Sequence, residues 1–148
     1  MNRALTLTVS WLAGLAGHET GDYLVQRDCD AQRKQQHTRE GRRALASHAV
    51  SYGATQAAVR ALAYRAAGLR VPLRAQLGAA VVETAVHALV DDGRLLHTFA
   101  TGTGKGGFHS VAGNGINGRA LMDQATHKGL QVPAGALTTA ALAHPRRS

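Results

Sequence analysis

The sequence predicts an all-α fold: a four-helix bundle with one long Gly-rich loop between the third and fourth helices. Three observations predict it. Alanine fills much of a 45% hydrophobic composition in which aromatics make up only 4%, and Ala loses no side-chain entropy on entering a helix. Only three prolines interrupt the 148 residues. Apolar residues recur at helical rather than alternating spacing. The length fits one helical domain over 1–148, and the apolar share excludes wholesale disorder. A single cysteine, Cys29, excludes an internal disulfide and with it a disulfide-stapled scaffold.

The elements follow in order. The first helix is expected over 4–34, weakened by Gly14, Gly17 and Gly21, with Trp11, Leu15, Val25 and Cys29 on its apolar face. A basic link, 33–43, ends it. The second runs from about Arg42 to Ala67 and presents Leu45, His48, Tyr52, Val59 and Leu62, with Gly68 as its stop. Pro72 opens the third, which reaches Asp91 and carries Leu73, Leu77, Val81 and Thr84 on one side. Residues 99–118 are Gly-rich and are expected to form a flexible loop. The fourth helix starts near Arg119, bends or breaks at Pro133 and continues to Leu142, leaving 145–148 as a frayed tail.

Seventeen Lys+Arg against nine Asp+Glu leave a net charge of +8. Such a balance suits an anionic partner: an anionic small-molecule substrate, a nucleic acid or a membrane surface. Residues 4–17 follow Arg3 and resemble the apolar region of a signal peptide. The run is too short to span a bilayer, and no small-x-small cleavage site stands out. The expected location is cytoplasmic, with association to a membrane as the second reading. The oligomeric state is left open.

One feature rises above the composition. His18 and Asp22, His87 and Asp91, and Asp123 and His127 are each four residues apart. On a helix that spacing puts both side chains on one face, one turn apart, as metal-binding helices do. Chance predicts roughly 0.65 such pairs from this number of His and Asp; three are present, in three different predicted helices. Taken singly, such a pair is most simply a surface salt link worth about 0.2–0.5 kcal/mol. Three on otherwise apolar faces argue for a cation, because a buried carboxylate is costly unless paired or metal-bound. With His48 the donor set is His18, Asp22, His48, His87, Asp91, Asp123 and His127, which suits one or two transition-metal ions, Zn, Mn or Fe. His48, Tyr52 and Gln26 are the candidate catalytic residues, with Gln26, Gln124 and Tyr52 placed to orient the ligands.

The run His18-x-x-x-Asp22-x-x-x-Gln26-x-Asp28, Lys34, His48, His87-x-x-x-Asp91 and Asp123-Gln124-x-x-His127 resembles a bacterial family of small proteins similar to membrane-bound metal-dependent hydrolases. Actinobacterial relatives are sometimes labelled transcriptional regulators. The resemblance covers roughly residues 10–135 and implies a metal-dependent hydrolase; this chain is more polar than many of those relatives.

On that reading the metals activate a water and neutralise charge on a phosphoryl or carbonyl oxygen. Lys34, Arg42, Arg43, Lys105, Arg119 and Lys128 provide a basic approach. Hydrolysis of a phosphoester or phosphoanhydride is therefore the preferred reaction, with amide hydrolysis behind it. Gly104-Lys105 imitates the end of a phosphate-binding loop. However, Phe99 stands where its first Gly belongs and Gly106 where Ser or Thr would hold magnesium, so that reading fails. His37, His97, His109 and His144 lack an Asp four residues away and are read as loop or surface residues, and the Gly-rich loop that carries His109 as a mobile lid beside the metal site. The competing class is DNA binding. Residues 46–62 fit a helix-turn-helix, with Gly53 in the turn, Gln56 and Arg60 toward the major groove, and Arg42, Arg43, Arg65 and Arg70 on phosphates.

Overall fold

A computed structural model describes residues 2–145. Helix α1 (Arg3–Thr20) starts at Asn2, whose side-chain oxygen accepts from the backbone N–H groups of Ala4 and Leu5. A five-residue π-helical turn, Gly21–Val25, extends it; the Gln26 N–H donates to the Gly21 carbonyl, one residue beyond the α pattern. The backbone then becomes extended at Gln26 and Arg27, so the helix expected over 4–34 is two. The short α2 (Asp28–Arg33) begins with Asp28 and Asp30 in the turn where a helix dipole favours carboxylates.

Helix α3 (Arg39–Ala66) is capped by the Thr38 hydroxyl, and Gly68, at φ +65°, releases the chain. Helix α4 (Leu73–Asp91) follows Pro72. Gly93, also in the left-handed region, turns the chain into α5 (Arg94–Gly102). The span read as a loop over 99–118 is thus largely regular. It holds the end of α5, a single turn α6 (Gly106–His109), and a hairpin of β1 (Ala112–Gly113) and β2 (Ile116–Asn117), with Asn114 and Gly115 at positive φ in its turn. Its glycines serve these tight turns, which composition alone does not separate from disorder.

Helix α7 (Gly118–Thr126) is capped by Asn117. A second π-helical turn, His127–Gln131, leads into α8 (Val132–Ala143). Pro133 does not break the helix. It sits in the first turn of α8, where its missing N–H costs least, and the irregularity is displaced into the π turn just upstream. Of the expected frayed tail, 146–148 lie outside the described residues.

The long helices pack as a ring: α1 against α3 and α8, α4 against α3 and α8. Small residues set the spacing. A Cβ at Gly17 would strike the Gln56 side chain, one at Gly21 would meet the Tyr52 ring at 2.8 Å, and Ala13, Ala44, Ala49, Ala75, Ala79, Ala136 and Ala140 fill the seams. No described helix is long and apolar enough to cross a membrane.

Two expectations are overturned. The stripes Leu73, Leu77, Val81 on α4 and Trp11 on α1 face outward, with Leu77 57% and Val81 69% exposed, as do Val25, Cys29 and Leu62. Polar side chains take the interior instead, because they find one another there. The helix-turn-helix over 46–62 is also absent: α3 runs through Gly53 without a turn, and Gln56 and Arg60 are buried and cannot reach a groove.

Candidate metal centre

All seven predicted donors meet at one end of the ring. His18 comes from the last turn of α1, Asp22 from the first π turn, His48 from α3, His87 and Asp91 from the last turns of α4, Asp123 from α7 and His127 from the second π turn. Each four-residue pair is in contact: His18 Nδ1 is 3.7 Å from Asp22, His87 Nε2 3.1 Å from Asp91, and His127 Nε2 3.6 Å from Asp123. Cross-helix contacts join them. His48 Nε2 lies 3.0 Å from Asp91 Oδ2 and 3.5 Å from Asp22 Oδ1, and His127 Nε2 lies 3.4 Å from Asp91 Oδ1. Three triads bring their donor atoms within 4.8 Å of one another: His18, His87 and His127; Asp22, His48 and His87; Asp91, Asp123 and His127. The four imidazoles and Asp91 are fully buried, and Asp123, at 15% side-chain exposure, stands at the mouth.

The tautomers follow from Gln131. Its side-chain Nε2 donates to the Tyr52 hydroxyl at 2.6 Å, so its oxygen is turned toward the histidines. That oxygen accepts from Nδ1 of both His87 (3.1 Å) and His127 (2.6 Å). Both rings therefore carry hydrogen on Nδ1 and turn Nε2 toward the carboxylates. Gln124 does the same for the other side: its oxygen accepts from His18 Nε2 at 2.9 Å and its amide donates to Asp22 Oδ2. Tyr52 also accepts from Gln56 and stacks on His87 with ring centroids 3.6 Å apart.

Facing lone pairs and carboxylates need a cation or shared protons between them. His48 Nε2 and His87 Nε2 are 2.9 Å apart, and buried Asp22 Oδ1, Asp91 Oδ2 and Asp123 Oδ1 have no hydrogen-bond partner. The donors present thus fit a divalent transition-metal ion in number, chemistry and unspent valence. The carboxylates are tuned apart. Burial works to raise Asp22, but the imidazoles of His48, His87 and His18 around it bring it down to about 2. Burial likewise opposes ionisation of Asp91, yet His127, His48 and His87 hold it well below the carboxylate range. Burial, only partly offset by His127, pushes Asp123 up to about 6.

Of the candidate catalytic residues, His48 lies within the donor set and Tyr52 orients it from behind. Gln26 ends the first π turn with its amide nitrogen buried and unpartnered, and among the described residues its side chain makes no hydrogen bond to the cluster. Lys34 is an ion pair with Asp91 at 2.9 Å, and Lys128 pairs with Glu19. Arg119 lines a groove of about 430 Å³ with His37, Arg94, His97 and His109. Gln131 is the residue sequence reasoning missed, four residues beyond His127; Gln56, expected at a DNA groove, instead stands buried behind Tyr52. Gln131→Leu is expected to weaken metal binding 10–100-fold, the usual cost of losing a ligand-orienting partner, read by competition with a chromogenic chelator.

No protein-family model matches the chain, and no curated protein or solved structure is similar to it.

Proposed function

We propose that the chain is a metal-dependent hydrolase whose centre is built by His18, Asp22, His48, His87, Asp91, Asp123 and His127, acting on a phosphoester or phosphoanhydride. The observation that carries this reading is the convergence of four oriented imidazoles and three carboxylates, with three carboxylate oxygens unpartnered in the interior. A bound Zn, Mn or Fe ion supplies Lewis acidity and a water acidified enough to attack at neutral pH. The chain's residues do the rest. Gln131, Gln124 and Tyr52 hold the rings in the ligating tautomer. His48 turns its Nε2 to Asp22 and Asp91 and is counted with the metal donors. Arg119, in the groove beside the Arg94–Asp92 pair, and the net charge of +8 favour an anionic substrate, which ranks phosphoryl above amide chemistry. The resemblance to metal-dependent hydrolases supports the same choice.

Elemental mass spectrometry of protein purified without a histidine tag tests the centre. About two equivalents of a transition metal are expected, and hydrolysis of a generic aryl phosphate should then depend on metal. One equivalent held without turnover marks a structural site; none after reconstitution ends the reading.

A further inference from the structure

The bundle is polar inside and apolar outside. Inward positions hold Thr6, Ser10, Gln56, Arg60, Glu83 and Thr139 besides the metal donors, all buried. Outward positions hold the large apolar side chains, and they do so on every long helix. Leu5, Trp11 and Leu12 project from α1, Val50 and Leu62 from α3, Leu77, Val81 and Leu89 from α4, and Leu137 and Leu142 from α8. A water-facing bundle has the opposite pattern, and a monomer's largest exposed apolar patch is normally confined to one region. A protein partner or a second copy covers a side; here the apolar surface encircles the ring.

Charge is excluded from that belt and collects at its two ends. Over 4–17, 44–64, 75–90 and 129–143 the only Asp, Glu, Lys or Arg side chains are Arg60 and Glu83, which point inward and pair with each other at 2.7 Å. Among exposed side chains in those four stretches, Thr8 alone is polar. At about 1.5 Å per residue the stretches are roughly 20–30 Å long, close to the ~30 Å of a bilayer's hydrocarbon. One end of the belt carries exposed Arg3, Arg65, Arg70 and Arg74 with no acidic residue; the other carries every acid except Glu83, along with the metal cluster. The mean hydropathy of each helix stays low because its inward face is polar, so averaging along a helix conceals its outer face.

We propose that the belt is covered by lipid acyl chains: the bundle sits in a bilayer as a unit, its polar interior enclosed by its own helices and its arginine end against anionic headgroups. Burying polar groups inside and presenting apolar ones outward is what hydrocarbon as solvent demands, close packing through Gly and Ala is how helices associate there, and an acid-free cluster of arginines matches an anionic leaflet.

Trp11, the single tryptophan and 40% exposed within the belt, is a built-in probe. Metal-free protein, expressed at full length, is reconstituted into phosphatidylcholine–phosphatidylglycerol vesicles with or without brominated acyl chains. The chain is expected to resist extraction from membranes by high salt and alkaline carbonate, and brominated chains should quench Trp11 at least twofold. Leu77→Lys and Val81→Lys should each lower the membrane-bound fraction severalfold, although exposed lysines there would be harmless in water. A chain that stays dispersed in buffer as a monomer or discrete oligomer, or one that salt releases with Trp11 unquenched, overturns the proposal; the second result would mean headgroup adhesion only. Quenching of the unaltered protein decides the matter even if both variants misfold. Because no metal or turnover enters the assay, its outcome is independent of the hydrolase reading.

Discussion

Asp91→Ala and His127→Ala proteins are expected to emerge without metal and with lowered thermal stability. Asp91 is the hub of the cluster: its two oxygens face His48, His87 and His127, and Lys34, at the C-terminal end of α2, closes on it. A ligand held at a thousand times its dissociation constant stabilises a fold by about 4 kcal/mol, so chelating the unaltered protein should cost about that much. For a chain of this size the loss corresponds to roughly 8–16 °C in Tm. The control lies in the comparison. If metal is what Asp91 holds, the gap between the variant and the unaltered protein narrows sharply once both are stripped by chelator. Retention of metal and Tm in both variants would sink the assignment of these two ligands.

The second large effect is expected at the other buried charges. Arg60 on α3 donates from Nη2 to Glu83 Oε1 on α4, with both side chains at most 5% exposed. The pair is incompletely satisfied, since Arg60 Nε and Nη1 and Glu83 Oε2 have no partner. Removing Glu83 leaves the Arg60 guanidinium as an uncompensated interior charge, so Glu83→Leu should cost about 3–5 kcal/mol. Arg60→Met should cost less, because burial already pushes the Glu83 carboxyl up to about 7 and it takes a proton once Arg60 is gone. The double variant removes both charges at similar volume and should return to within about 1 kcal/mol of the starting protein, or exceed it. Denaturant or thermal unfolding of all four proteins completes the cycle. Additive losses in the double variant would show that the two side chains act separately and that their contact contributes nothing.

Both predictions concern an interior whose outline is visible in the sequence once the right spacing is counted. Thr6, Ser10, Gly14, His18 and Asp22 recur every fourth residue. So do His48, Tyr52, Gln56 and Arg60; Glu83, His87 and Asp91; and Asp123, His127, Gln131, Gly135 and Thr139. The i±4 row is a natural packing ridge of a helix, and all four rows face inward. The three His–Asp pairs were legible because they are local. Gln131 belongs to the same rows but carries no signal of its own, since glutamine at helical spacing usually means only a solvated face. Gln56 and Arg60 read as groove contacts because their row looks polar and exposed until its partners are known. The Leu73, Leu77, Val81 stripe marks the limit from the other side: apolar periodicity shows which residues share a face, and the direction of that face depends on what the rest of the chain packs against it.

The sequence by itself determined the helical class, the long helices now numbered α3 and α4, and the three His–Asp pairs. Each of these depends on propensity, capping or a four-residue spacing, all of them interactions within one turn of the chain. Only the tertiary structure decided the rest. It brought His48 to Asp22 and Asp91 across the ring, set the His87 and His127 tautomers through Gln131, ran α3 unbroken through Gly53, and turned the polar rows inward. Those outcomes depend on partners far apart along the chain, and a polar side chain buries itself only where another segment completes its hydrogen bonds.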